Sequence, residues 1–218
     1  MGNREDLIAG AKRCLYEKGY ARTTARDIAG AAGTSLAAIG YHFRSKDALL
    51  MVALLEAFDE WGAELAKVLP AGSAGATGAA GDPFGHLEAT WRRVTGSFTA
   101  HRPLWIASYE AFLQAEHSPE LRAQLAAGQE SARRGLAAAL LGIDEGAVSE
   151  RAARTAGSVQ LALLSGLIVQ WLVDPEHAPS GRDLVEGLRE IMAAARERDV
   201  GTASTASVPP GAGEAPAP

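Results

Sequence analysis

The chain has 218 residues, 47% of them hydrophobic, and a formal net charge of −5. That suits one medium domain or two small ones with a real core. It excludes an intrachain disulfide, because Cys14 is the only cysteine, and this fits a reducing, cytoplasmic setting. No uninterrupted apolar run approaches the roughly eighteen residues of a membrane span, and MGNREDLIAG carries charges where a signal peptide needs an apolar segment.

The charge is unevenly placed. Residues 1–50 hold eight Lys/Arg against five Asp/Glu, net +3, and residues 51–218 hold thirteen against twenty-one, net −8. A basic head on an acidic body suits a protein that presents one end to a polyanion.

In chain order, Leu7, Ile8, Ala11, Cys14 and Leu15 recur at helical spacing, predicting a helix over Arg4–Lys18 that Gly19 stops and that buries Cys14. Thr23 or Thr24 caps a second helix, with Asp27 three residues after Thr24 in a capping-box arrangement. That helix buries Ile28 and Ala29 and ends near Ala32, with Gly33 as the turn. Thr34 or Ser35 caps a short third helix reaching about His42. Ser45 caps a long fourth, with Leu49, Leu50, Val52, Leu54, Leu55, Phe58, Trp61 and Leu65 along it as far as Leu69. Residues 70–83, PAGSAGATGAAGDP, have little to bury and read as a flexible loop.

Five further helices are predicted, making about nine. They run over Phe84–Ala100, from Pro103 to about Glu116, from Ser118-Pro119-Glu120 to Leu141 before Gly142, over Ala147–Val173 before Asp174-Pro175, and from Ser180 to about Arg198. Residues 199–218 are rich in Gly, Ala, Ser, Thr and Pro and are expected to be disordered. No strand pattern competes, so the fold class is all-α. A helix-turn-helix head (1–48) is joined by the long fourth helix to a helical body (49–198).

Helix, glycine turn and short helix over Thr24–Leu49 is the layout that docks on DNA. A recognition helix must be slim where it enters the major groove and polar at its edges. The third helix is expected to turn Ala37, Ala38 and Gly40 outward, with Leu36 and Ile39 as apolar contacts; Leu36, Ala37 and Gly40 thus join the candidate DNA-facing set. The Tyr41 hydroxyl, the Lys46 ammonium and the free N–H groups at the next helix start suit phosphate oxygens, and Phe43 closes the head's core.

Gly19-Tyr20, Thr23-Thr24, Asp27-Ile28-Ala29, Ala32-Gly33, Tyr41-His42-Phe43, Ser45-Lys46 and Leu49-Leu50 together resemble the TetR family of bacterial transcription regulators, over roughly residues 4–55. The resemblance implies a homodimeric DNA-binding regulator, more specifically a repressor, released from a double-stranded operator by a small molecule. It implies DNA contacts by Thr24 and Arg26 at the second helix and by Thr34, Ser35, Tyr41, His42 and Lys46 around the third. Arg26 is the expected base reader, because arginine pairs bidentately with guanine. Many relatives carry an aromatic residue just before the Tyr-His pair and a lysine or glutamine early in the recognition helix; Gly40 and Leu36 stand there in this chain. Sequence reading is therefore expected to lean on Arg26, thymine methyl contacts and DNA shape.

Five of the chain's thirteen aromatic residues fall within residues 91–112. With the polar residues between them they form a candidate pocket for an apolar or aromatic effector: Trp91, Thr95, Phe98, His101, Trp105, Tyr109, Phe112, Gln160, Leu164 and Trp171. The resemblance also puts the ligand pocket among these helices. Helix 147–173 is apolar nearly all round and rich in Ala and Gly, and helix 180–198 offers Leu184, Leu188, Ile191 and Ala195 as a stripe; the two helices are the candidate dimer face.

An enzyme is the rival reading. It would need a nucleophile with a positioned base, yet Cys14 lies in the head and no G-x-S-x-G occurs. His101, Glu110, Glu116 and His117 form only a loose metal-type set, so neither metal nor cofactor is expected. A DNA-binding or architectural protein without an effector is the second alternative.

Overall fold

Leu7, Ile8, Ala11, Cys14 and Leu15 do form one buried face, on α1 (Asn3–Lys18). Against it lie α2 (Ala25–Ala32), α3 (Leu36–Phe43) and α4 (Lys46–Val68), to which Ile28, Ile39, Phe43, Leu49 and Leu50 contribute the buried apolar positions. In this computed structural model, which describes residues 3–68 and 84–205, every extended regular element is helical. The chain continues through α5 (Gly85–Ser97), α6 (Arg102–Ala115), α7 (Pro119–Leu141), α8 (Glu150–Val173) and α9 (Gly181–Thr205). The expected loop 70–83 and the tail beyond 205 lie outside the described residues.

The helix ends follow local chemistry. Ser118 accepts the Leu121 N–H at the start of α7, Gly142 ends α7 in the left-handed conformation, and Ser149 accepts the Ala152 N–H at the start of α8. Ser180 and Asp183 cap each other at the start of α9.

Three boundaries differ from expectation. The helix expected over Phe84–Ala100 stops at Ser97, whose hydroxyl bonds back to the Val94 carbonyl, and a turn covers residues 98–101. The helix expected from Ala147 is preceded by a separate 3₁₀ turn, Glu145–Ala147, and contains a π-helical turn, Ala153–Gly157. The last helix reaches Thr205, seven residues past its predicted end, because no proline interrupts it before Pro209.

α4 packs against α1 and α3 and also against α6 and α7, so one continuous apolar core runs from Leu7 in the head to Val185 on α9. By length and composition alone, α8 is long and apolar enough to cross a membrane, although scattered polar residues interrupt its apolar run. In the fold its inner face (Gln160, Leu164, Leu167 and Ile168) is buried against the body.

Two close approaches fix the body. A Cβ on Gly157 would stand 2.2 Å from the Arg133 carbonyl oxygen, so the π turn brings the α8 backbone onto that of α7. A Cβ on Gly181 would stand 2.3 Å from the Arg92 nitrogen, so α9 begins directly on α5.

Candidate nucleic-acid interface and its link to the body

Thr24 and Asp27 form a complete capping box: the Thr24 oxygen accepts the Asp27 N–H at 3.2 Å and Asp27 accepts the Thr24 N–H at 2.9 Å. Lys18 stands 2.5 Å from the other Asp27 oxygen. The Lys18 bond and then those from Thr24 hold the Asp27 carboxyl well below the usual carboxylate range. The Thr24 hydroxyl is therefore engaged within the head, whereas Arg26, the next residue but one, is exposed and forms no hydrogen bond or ion pair among the described residues. Gly33 is left-handed, and the Thr34 N–H returns to the Ala29 carbonyl, closing the turn into α3.

α3 is buried through Ile39 and Phe43. Its outer face is Leu36 (48% exposed), Ala37, Gly40 and Tyr41 (85% exposed), with Ser35 exposed at its start and its hydroxyl free of any capping bond. Ala38, expected outward, is half-buried against the core, because the inward turn set by Ile39 and Phe43 carries it along. Leu36 takes its place on the open face. His42 is half-buried and meets the Tyr41 ring edge-on at 4.9 Å.

Lys46, the first residue of α4, is turned inward. Its ammonium lies 2.9 Å from Asp47 and 5.8 Å from the centre of the Tyr20 ring. Tyr20 is itself buried, and that burial, with Asp47 beside it, pushes its hydroxyl above the ordinary tyrosine range. Reaching a phosphate would require Lys46 to exchange Asp47 for it.

The head is tied to the body by Glu110 on α6. Its Oε2 accepts the Tyr20 N–H at 2.6 Å and the Ala21 N–H at 3.0 Å. Gly19 permits this in two ways. Its φ of +81° ends α1, and a Cβ there would press to 2.8 Å from the same carboxylate oxygen. Glu110 was legible in the sequence only as part of a loose metal-type set. That set is dispersed, since His101 instead pairs with Glu64 at 3.2 Å. Among the described residues no group of three or more His, Cys, Asp and Glu side chains could hold a metal ion.

In the body, three of the predicted pocket residues meet. Trp105 packs edge-on to Phe98 at 5.8 Å, and Phe98 lies 5.8 Å from Trp171. Two rings from α4 complete the cluster, Trp61 at 4.9 Å and Phe58 at 5.9 Å from Trp105. The sequence placed both on the stripe of α4 without saying what they face. Trp91 is buried on α5, and its indole N–H and that of Trp105 have no hydrogen-bond partner among the described residues.

The other predicted members do not join these ring contacts, although Tyr109 and Phe112 pack on each other at 6.1 Å. The Thr95 hydroxyl bonds back to the Trp91 carbonyl, and the Tyr109 hydroxyl donates to the Ser165 carbonyl on α8. Phe112 (40% exposed) lines a different cleft of about 390 Å³ between α6 and α7. Spacing of three, four and seven assigns residues to one helix face but not to one groove, and α6 packs against α4 and α7 and reaches α8 through Tyr109. His101 stands with Trp61, Glu64, Leu65 and Arg93 around an open cleft of about 290 Å³ between α4 and α5, with Trp61 joining it to the aromatic cluster. Gln160 and Leu164 are buried on the inner face of α8.

The outer face of α8 carries Val159, Ala162, Gly166, Val169 and Val173, all exposed and spaced three or four apart. Val173 is 81% exposed, and α9 adds exposed Ile191 and Met192 nearby in sequence register with Leu184, Leu188 and Ala195.

Comparison with known proteins gives two family matches. Residues 7–52 match the model for bacterial regulatory proteins of the tetR family, and residues 82–197 match the tetracyclin repressor-like C-terminal domain. The HTH-type transcriptional regulator TtgR of Pseudomonas putida is 44% identical over 64 residues, 29% of this chain and 30% of that protein, so the match spans less than a third of the relative's length. A solved TetR-family structure from Streptomyces coelicolor is 27% identical, with a TM-score of 0.60, covering 86% of this chain and 98% of that one. The multidrug binding protein EbrR, solved with proflavin, is 26% identical, with a TM-score of 0.57 over 88% of this chain and 98% of that one.

Proposed function

The chain belongs to the TetR family of bacterial regulatory proteins, and from that premise we propose that it is a cytoplasmic, homodimeric transcriptional repressor released from its DNA operator by a small, flat, apolar or aromatic molecule. The observation that carries the DNA reading is the open face of α3, which includes exposed Tyr41, with an exposed Arg26 beside it that has no partner among the described residues. A slim helix with polar edges fits the major groove, and a free guanidinium beside it fits guanine.

The test is binding to duplex DNA selected by footprinting beside the protein's own gene. Arg26→Ala is expected to cost about 1–3 kcal/mol and to relax the preference at one base pair. Lys46→Ala is expected to weaken binding alike on all sequences and to lower the salt slope by about 1. Wild-type affinity for both variants would remove these residues from the interface.

Dimerisation is supported by the apolar stripe on α8, where Ala162 and Gly166 leave room for close helix approach. Sedimentation at micromolar concentration should give a mass near twice 22.7 kDa. A monomer there would rule out this face as the pairing surface.

The aromatic cluster supports the effector reading. A planar ligand that enters between Trp61, Phe98, Trp105 and Trp171 exchanges ring–ring contacts for contacts with itself and must displace Trp105. Trp105 and Glu110 share α6, so such a displacement reaches the Tyr20–Ala21 backbone, while Trp61 moves α4. Release then needs only a ligand that prefers the displaced arrangement. Proflavin, which EbrR binds, is the first probe. Tryptophan fluorescence quenched by stoichiometric proflavin in the wild type, and lost in Trp105→Ala, is the expected result. Equal quenching in both would place the ligand elsewhere. A regulator without an effector is the competing reading, favoured by rings that already satisfy one another in van der Waals contact.

A further inference from the structure

We propose that Arg44, assisted by Arg4, grips the DNA backbone at the C-terminal end of α3; this rests on the reading of the head as a DNA-binding unit. Among the described residues, four have positive φ, and three of them are glycines: Gly19, Gly33 and Gly142. Arg44 is the fourth, at φ 67° and ψ −40°. A side chain in that region is strained by its own Cβ, and glycine would hold the same turn without strain.

The strain has no intramolecular return. Among the described residues the exposed Arg44 side chain has no hydrogen bond, ion pair or ring contact, and only its backbone N–H is used, donating to the Gly40 carbonyl at 3.2 Å. Strained residues that persist without a folded-state reason concentrate at binding sites.

Position identifies the partner. Recognition helices contact base edges with their N-terminal residues, so the opposite end lies over the sugar–phosphate backbone. Arg44 immediately follows Phe43, the last residue of α3, and the Arg4 guanidinium lies over the same Phe43 ring at 5.3 Å. Arg44 thus follows Phe43 in the chain, and the Arg4 guanidinium covers the Phe43 ring, at the end that the groove geometry assigns to phosphate. Guanidinium matches phosphate bidentately and is weakly hydrated, so it is the suitable group for such a grip. It also supplies what the outer face of α3 lacks: Ala37 and Gly40 cannot hold the helix at a fixed depth, whereas a clamp at its end can.

The experiment uses the full-length protein, the footprinted operator and an unrelated duplex of equal length. Arg44→Gly is expected to raise the thermal midpoint while weakening both duplexes about tenfold and lowering the salt slope by about 1 per subunit. Arg44→Lys should keep most of the slope, since the charge remains. Arg4→Gln should weaken both duplexes by a smaller factor. Unchanged affinity and slope in Arg44→Gly would overturn the proposal, and so would a loss confined to the operator, which would make Arg44 a base reader. If the wild type binds neither duplex, the DNA-binding reading itself falls, a result distinct from wild-type binding that Arg44→Gly leaves intact.

Discussion

Gly157→Ala should lower the thermal midpoint by roughly 5–10 °C. The added carbon would sit 2.2 Å from the Arg133 carbonyl oxygen and 2.9 Å from its carbon, and both are backbone atoms that no rotamer change can move aside. α7 and α8 would have to separate at the π turn, which would also reorient the α8 stripe proposed to pair two subunits. Gly166→Ala is the control. Nothing lies within 4 Å of a Cβ there, so the single chain should tolerate it or gain slightly from helix propensity. If α8 does pair closely with its copy, the same substitution should weaken the dimer at unchanged fold. Equal melting of the Gly157 variant and wild type, by circular dichroism, would show that the two backbones do not meet as described.

Glu110→Ala should cost on the order of 2–3 kcal/mol, because it strands two N–H groups that a carboxylate now receives. Glu110→Gln should be milder, since an amide oxygen of the same reach can accept both. The readout that separates this link from general destabilisation is local. Amide exchange at Tyr20 and Ala21 should accelerate in the alanine variant well beyond that of Leu121 or Ala152, whose caps lie elsewhere. In the proposed mechanism the alanine variant should also bind effector normally yet release operator less completely, since α6 would no longer hold the head. Unaltered exchange at the two amides would remove Glu110 from the head–body connection.

How much of this was legible in the sequence depended on the range of each interaction. The Thr24–Asp27 box, the turn at Gly33, the helix opening at Ser118 and the stop at Gly142 are encoded within a few residues each and were predicted as found. The open face of α3 was legible apart from Ala38, whose placement depended on how Ile39 and Phe43 turn the helix. Phe98, Trp105 and Trp171, grouped by their chemistry in the sequence, do meet in space, yet Phe58 and Trp61 come from a helix about forty residues before Phe98 and Trp105 and more than a hundred before Trp171, and nothing in periodicity states that α4 faces them. Phe112 failed for the same reason in reverse. The Glu110 bonds span 90 residues and end on backbone atoms, which leave no side-chain signature to read. The π turn is set by a contact between two backbones, and composition records only that small residues occur there.

The shared core around α4 has a consequence for how this protein can be taken apart. Leu49, Leu50, Met51 and Leu54 are fully buried between the head's helices and those of the body. A cut after residue 48 would therefore remove the floor on which α1 and α3 rest, and the first three helices would be a fragment rather than a portable module. Grafting this head onto another body would need to carry α4 and the surface that receives α1, α6 included. The DNA-reading end thus travels with its controller, and new specificities are more accessible by altering the outer face of α3 in place than by exchanging whole heads.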